Sequence, residues 1–269
     1  MFAIPRGKVT YFGTTDTNYQ QDKNTVETNL VDATYLISAV NNMFPSIDLS
    51  LDDIESSWAG LRPLIHEEGK SASELSRKDE IFVSDTELIS IAGGKLTGYR
   101  KMAERVVDLV AKKYMRRFET TFDPVQTENI VLSGGPFQNF KAVKKYITLV
   151  YENMNSFGFT KQDIAYLVYN YGKRTDIITD KFLEFTNEDL HQRLIKAELW
   201  YTIHHEMVCT PSDFFMRRTG RLFFDRFSVD MHKEFVLQEF KNAFHWNAET
   251  AEKYHQELEN KIELATRFE

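Results

Sequence analysis

Two short stretches carry residue types that could do chemistry. The first is Gly93-Gly94-Lys95-Leu96-Thr97, set between the apolar run Leu88–Ala92 and a long amphipathic stretch ending near Lys113. A strand that breaks at a diglycine and restarts as a helix aims several unpaired backbone N–H groups at one point. The glycines remove the Cβ atoms that would block a close approach, and the helix dipole makes that point attractive to anions or electron-rich oxygens. Lys95 adds a mobile cation at the mouth, and Thr97 is placed to cap the helix. The second stretch holds Arg62, set in the nearly apolar segment Trp58–Leu64. A guanidinium there is either a buried partner of a local carboxylate such as Glu67 or Glu80, or a fork that grips a phosphate or carboxylate through paired hydrogen bonds. Diglycine turns before helices are common, so the first pattern alone fits an ordinary structural turn equally well.

Other reactive side chains read as structural. His66 lies in a polar loop and is expected to be solvated. His204, His205 and Glu206 are adjacent on a helix, do not face the same way and lack a histidine partner at i,i+4, so no metal-ligand set is read. Arg217, Arg218 and Arg221 are a phosphate-binding cluster or, the favoured reading, domain-packing residues with ion pairs. The basic run Lys112–Arg117 suits anionic lipid or RNA, with a solvated helix end as the default. Cys209, next to a helix start, is expected to be an inert, partly buried thiol. Arg6 is expected in a solvated hairpin turn.

The elements that must position these residues divide the chain. Phe2–Ile4 and Val9–Gly13 flank a turn at Pro5-Arg6-Gly7-Lys8, and Asp79–Ile91 reads as a second hairpin turning at Ser84-Asp85-Thr86. Helical spacing covers 26–43, and the segment Ile54–Ile65 reads as extended. After the diglycine, Val106, Val107, Leu109 and Val110 predict an apolar stripe, with Lys101, Glu104, Arg105 and Lys112 on the wet side. A charged link over 114–128 leads to a second half with helical spacing almost throughout: 140–156, 161–171, 174–183, 187–206, 211–222, 229–244 and 247–268. The expected class is α+β, with an α/β part of about five strands over 1–125 and an all-helical domain over 126–269.

Composition limits the partners. The formal charge of −7 over 269 residues argues against a general nucleic-acid binder, which needs clustered excess Lys and Arg. No apolar run approaches the length needed to cross a membrane. The single cysteine excludes an intrachain disulfide and suits a reducing compartment.

Five separated segments in order, FAIPRGKVTYFGTTDT, SWAGLRPLI, SRKDE, ISIAGGKLTGYRKMAERVVDLV and DFFMRRTGRLFF, resemble the FAD-dependent glycerol-3-phosphate dehydrogenases. The resemblance spans nearly the whole chain. It implies a partial antiparallel-sheet substrate domain of a flavin oxidoreductase, followed by an all-α C-terminal domain. By resemblance, Arg62 matches the arginine of the family's GxRPL segment, close to the substrate. Lys95 matches the lysine of GGKLT, beside flavin and substrate, and Gly93, Gly94, Leu96 and Thr97 are implied FAD contacts. The implied reaction oxidises sn-glycerol 3-phosphate to dihydroxyacetone phosphate by hydride transfer to FAD, with electrons passed to a quinone. A cytoplasmic site with peripheral contact at the inner membrane face is implied, and a homodimer stays open. The family's dinucleotide fingerprint GxGxxG and its candidate histidine base find no match, so the chain resembles the C-terminal half of such an enzyme, with weak or no FAD binding and no turnover alone. The related glycerophosphate oxidases tend to carry a long insertion after RPLI. Here ten residues, 66–75, separate Ile65 from Ser76, which favours the dehydrogenase. A rival reading makes the helical half a non-catalytic docking or oligomerisation module.

Overall fold

The computed structural model describes residues 1–62, 65, 78–186 and 189–268. The expected polar loop with His66 and Glu67, and Ser76-Arg77 of the SRKDE segment, lie outside the described residues. The fold is α+β: two separate two-stranded antiparallel sheets are followed by a long run of helices. By contacts the chain divides into two compact units that do not follow sequence order, one of residues 1–15, 27–59 and 132–269, the other of 16–26 and 60–131.

The larger unit begins with β1 (Phe2–Arg6) and β2 (Val9–Gly13), paired so that Arg6 faces Val9. Pro5 and Arg6 therefore lie in the strand, and the turn is tighter than expected. It is made by Gly7 at φ +62° and Lys8. Helix α1 (Leu30–Met43) starts four residues later than expected because the Asn29 side chain accepts the Asp32 N–H and fixes the first turn.

Of the later helices in this unit, α3 (Phe140–Met154) is capped by Asn139, and α4 (Lys161–Tyr171) by a capping box in which Thr160 and Asp163 exchange hydrogen bonds. Then come α5 (Thr175–Glu184) and α6 (Leu190–Glu206), the latter capped by Asp189. The single helix expected over 211–222 is not formed. A wide π-type turn spans Asp213–Arg218, Gly220 adopts φ +65°, and a separate short α7 (Arg221–Phe224) follows. Closing this break, Thr219 donates its N–H and its hydroxyl to the Phe214 carbonyl, five residues back. The long pair α8 (Arg226–Phe244) and α9 (Ala248–Thr266, capped by Asn247) completes the unit.

Two apolar clusters form its core. One gathers Ile164, Leu167, Ile178 and Phe182 from α4 and α5, together with Val150 and Met154 of α3. The other joins Phe214, Phe215 and Leu222 to Val236, Phe240 and Leu258.

The smaller unit holds β3 (Asp79–Val83), β4 (Ile89–Gly93) and α2 (Tyr99–Phe118). The hairpin pairs Asp79 with Gly93, so the diglycine begins where β4 leaves the sheet. Helix α2 runs five residues past Lys113, because Tyr114–Phe118 contains no breaker, and ends at Glu119 in the left-handed region at φ +55°. Its covered stripe also differs from the expected one. Met102, Val106 and Leu109 are half-buried, whereas Val107 and Val110 are exposed. The spacing i, i+4, i+7 puts the first three on one face, with Val107 and Val110 a residue round the helix from it. Arg105 pairs with Asp79, and Lys113 with Glu87 at 3.1 Å, which fixes α2 along the hairpin.

Candidate functional site

The diglycine is demanded first by the fold. Gly93 and Gly94 sit at φ +78° and +82°, a region side-chain-bearing residues rarely adopt. A Cβ on Gly93 would lie 2.4 Å from the Lys78 carbonyl oxygen and 3.2 Å from Ile65 Cδ1. One on Gly94 would lie 2.7 Å from Met102 Sδ. The bend is therefore held between the start of β3, the first turns of α2 and the residue three positions after Arg62.

Past the bend the chain opens to solvent. Lys95, Leu96 and Thr97 are all exposed, and Leu96, next in sequence to Lys95, is 89% exposed. A single 3-10 turn, Leu96–Gly98, precedes α2, and the Gly98 N–H bonds back to the Lys95 carbonyl at 2.8 Å. Thr97 does not cap the helix as expected. The intervening 3-10 turn makes Gly98 the cap residue, and no side chain occupies that role. The first N–H groups of α2 thus carry no side-chain cap.

Arg62 is neither buried nor paired with Glu80. Its guanidinium is half-exposed, with a side-chain exposure of 48%, and donates to Asp16 Oδ2 at 2.9 Å. Asp16 belongs to the Thr/Asp cluster of residues 13–17, 46 residues back. An exposed pair of this kind adds little stability, and the planar fork keeps further N–H groups for another acceptor.

In the larger unit, the segment leading toward Arg62 is anchored on α7. The Ser56 hydroxyl donates to the Phe223 carbonyl at 2.9 Å, and the Ser57 N–H donates to the Ala265 carbonyl at 2.7 Å. Trp58 packs on Phe223 and Phe224 at ring separations of 5.0 and 5.6 Å, and Tyr11 touches both Trp58 and Phe224. Arg6, expected to be solvated in a turn, lies with its guanidinium 3.9 Å from the centre of the Phe224 ring, a cation–π contact.

The three arginines of the 213–224 segment go to three different carboxylates. Arg217 bonds Asp213 at 2.6 Å, Arg218 lies 3.6 Å from Glu206, and Arg221 bonds Glu198 at 2.9 Å. They form no common phosphate cradle. Glu198 is fully buried and also accepts the Tyr166 and Tyr171 hydroxyls at 2.8 Å each. Burial works against the Arg221 charge, yet Tyr166 and Glu198 beside it raise its pKa, so the guanidinium stays protonated. Burial, with Glu198 beside them, pushes both tyrosines well above their ordinary range. This network went unnoticed in the sequence. Its signal was a lone carboxylate, Glu198, among the apolar residues of α6.

His204 and His205 stack on Trp200 and Tyr201 at the end of α6, and the His204 Nδ1 lies 2.7 Å from the Trp200 carbonyl. Cys209 is exposed, not partly buried, because it precedes the helical turn instead of lying within it.

Comparison with known proteins matches this arrangement at two levels. Residues 1–98 match the FAD dependent oxidoreductase family, and residues 125–251 match the C-terminal domain of alpha-glycerophosphate oxidase. The chain is 44% identical over 265 residues to the aerobic glycerol-3-phosphate dehydrogenase of Bacillus subtilis, covering 97% of this chain and 48% of that protein. It is 40% identical over 266 residues to the enzyme of the same name from Staphylococcus aureus, covering 98% of this chain and 48% of that one. The crystal structure of the glycerol-3-phosphate dehydrogenase from Bacillus halodurans, complexed with FAD, superposes with a TM-score of 0.85 at 41% identity, over 98% of this chain and 51% of that one. The chain thus spans about half the length of the relatives it matches.

Proposed function

We infer that the chain belongs to the family of FAD-dependent glycerol-3-phosphate dehydrogenases, and on that premise we propose that it forms the substrate-side and C-terminal part of a flavoenzyme oxidising sn-glycerol 3-phosphate to dihydroxyacetone phosphate. The domain limits in this reading are 1–125 and 126–269. One observation carries the reading: the exposed rim Lys95-Leu96-Thr97, where a cationic, an uncovered apolar and a hydroxyl residue follow one another at the uncapped start of α2. That donor set fits a flavin, which offers a flat apolar ring with polar edges. FAD, when bound, supplies the hydride acceptor for the alcohol carbon.

The residues present have distinct tasks. Gly93 and Gly94 let the backbone approach the ring edge, and Leu96 and Thr97 supply an apolar and a hydroxyl contact. Lys95 stabilises negative charge, whether on the cofactor or on the substrate oxygen. Arg62 binds the glycerol or phosphate oxygens through the N–H groups that Asp16 leaves unused, and stabilises the C2 oxygen as it loses its proton. Asp16 holds the guanidinium in place until the substrate arrives.

Electrons then pass to a quinone. Among the described residues no helix is long and apolar enough to cross a membrane, so contact with a membrane-borne acceptor is peripheral in this reading. A homodimer is compatible with it. The test is turnover of the full-length protein with a soluble quinone analogue, with peroxide measured in parallel. The expected result is quinone reduction dependent on sn-glycerol 3-phosphate, without matching peroxide. Peroxide in proportion to substrate consumed would assign the protein to the oxidases instead.

A further inference from the structure

Helices α8 and α9 bring together a set of side chains that the flavin chemistry does not use. We propose that Glu234, His255 and Glu259 form a binding site for a divalent transition-metal ion of the Zn2+ type, linking α8 to α9. The three potential donor atoms lie within 4.8 Å of one another. His255 Nε2 is 3.3 Å from Glu234 Oε1 and 3.6 Å from Glu259 Oε1. Those separations are longer than a charge-assisted hydrogen bond, about 2.7–2.9 Å. They match the ligand-to-ligand edge of a tetrahedral zinc site, about 3.4 Å for ligand bonds of about 2.0–2.2 Å. Two of the three ligand-to-ligand edges are therefore compatible with an ion between the groups.

Three further features support the assignment. His255 and Glu259 are four apart on α9, so both project from one face, and Glu234 reaches them from α8. On the far side of the ring, His255 Nδ1 faces Glu252 at 4.0 Å. At that distance Glu252 adds negative charge beside the ring without a hydrogen bond to it. The backbone beneath is rigid, since Val236 and Phe240 of α8 pack with Leu258 and Ile262 of α9, and Tyr254 lies against Trp246 at 4.5 Å. Charge is also suitable. Glu234, Glu252 and Glu259 all approach His255, and the Lys233 ammonium pairs with Glu259. The excess is negative, and a bound dication would share Glu259 with Lys233 or displace it. His255 and Glu259 are about one-third exposed, which leaves water access for a fourth ligand.

Isothermal titration of ZnCl2 into the chelator-stripped 269-residue chain tests the site, with the thermal midpoint followed with and without metal. The expected result is saturable one-to-one binding that raises the midpoint. His255→Ala should abolish both effects, Glu234→Gln should weaken binding at least about tenfold, and Glu252→Gln, which removes only a nearby charge, should weaken it less than Glu234→Gln. All three side chains are partly or well exposed, and circular dichroism without metal confirms that each variant folds. Should His255→Ala unfold, Glu234→Gln carries the test. No saturable binding in the parent chain would leave these groups as an ion-pair cluster and overturn the proposal. Unchanged affinity in both Glu234→Gln and His255→Ala would place the metal elsewhere and also overturn it.

Discussion

A backbone carbonyl explains why position 93 is glycine. The Lys78 oxygen occupies the place where a Cβ would stand, and the positive φ adds a second penalty. Gly93→Ala should therefore destabilise the smaller unit by at least about 1 kcal/mol, more than the usual cost of alanine at a glycine site. Urea denaturation of the variant beside the parent chain measures this, and an unchanged midpoint would mean that the bend relaxes freely. The same residues show what could be read in advance. Gly93-Gly94-Lys95 announced a bend with a cation at its exit, because glycine pairs and charges report backbone and field directly. The partner of Arg62 could not be read: Asp16 is 46 residues away, and only tertiary folding brings the two together. Thr97 misled, because a hydroxyl near a helix start suits a cap only if no 3-10 turn intervenes.

At the scale of elements, local signals were strong wherever a side chain acts on its own backbone. Asn139, Thr160 and Asn247 each cap a helix start by accepting a hydrogen bond from the N–H three residues on. The break inside 211–222 lay hidden, since Gly220 could equally have been a tolerated helical glycine. Its consequence is that α7 presents Phe223 and Phe224 to Trp58, while Arg221 turns inward to Glu198. Arg221→Met leaves Glu198 buried without its cation and should cost roughly 3–5 kcal/mol. The double variant Arg221→Met/Glu198→Gln should recover a large part of that loss, because it removes the stranded charge and keeps an acceptor for the Tyr166 and Tyr171 hydroxyls. Denaturation midpoints of the single and double variants check this. Equal losses in both would show that packing, not the charge, holds α7.

For the molecule as a whole, the helical half and the N-terminal hairpin share one compact unit, whereas the diglycine, Arg62 and α2 make up another. The chain order suggested a division near residues 120–130; each compact unit is assembled from separate stretches of chain. The match to about half the length of its relatives bears on cofactor binding, since in the proposed reading the rim at Lys95 meets one part of a dinucleotide only. Titrating FAD into the 269-residue chain and following flavin fluorescence should give weak or no binding. Tight one-to-one binding would mean that this chain holds the whole cofactor site.

The most direct test of the central claim is rapid mixing of the oxidised full-length flavoprotein with sn-glycerol 3-phosphate under anaerobic conditions, comparing the parent with Arg62→Ala. The parent flavin should bleach on mixing. The variant should bleach about 10- to 100-fold more slowly at low substrate, the loss expected when charge-assisted hydrogen bonds worth about 1.5–3 kcal/mol are removed. Equal rates in the two proteins, or a parent flavin that stays oxidised, would contradict the account.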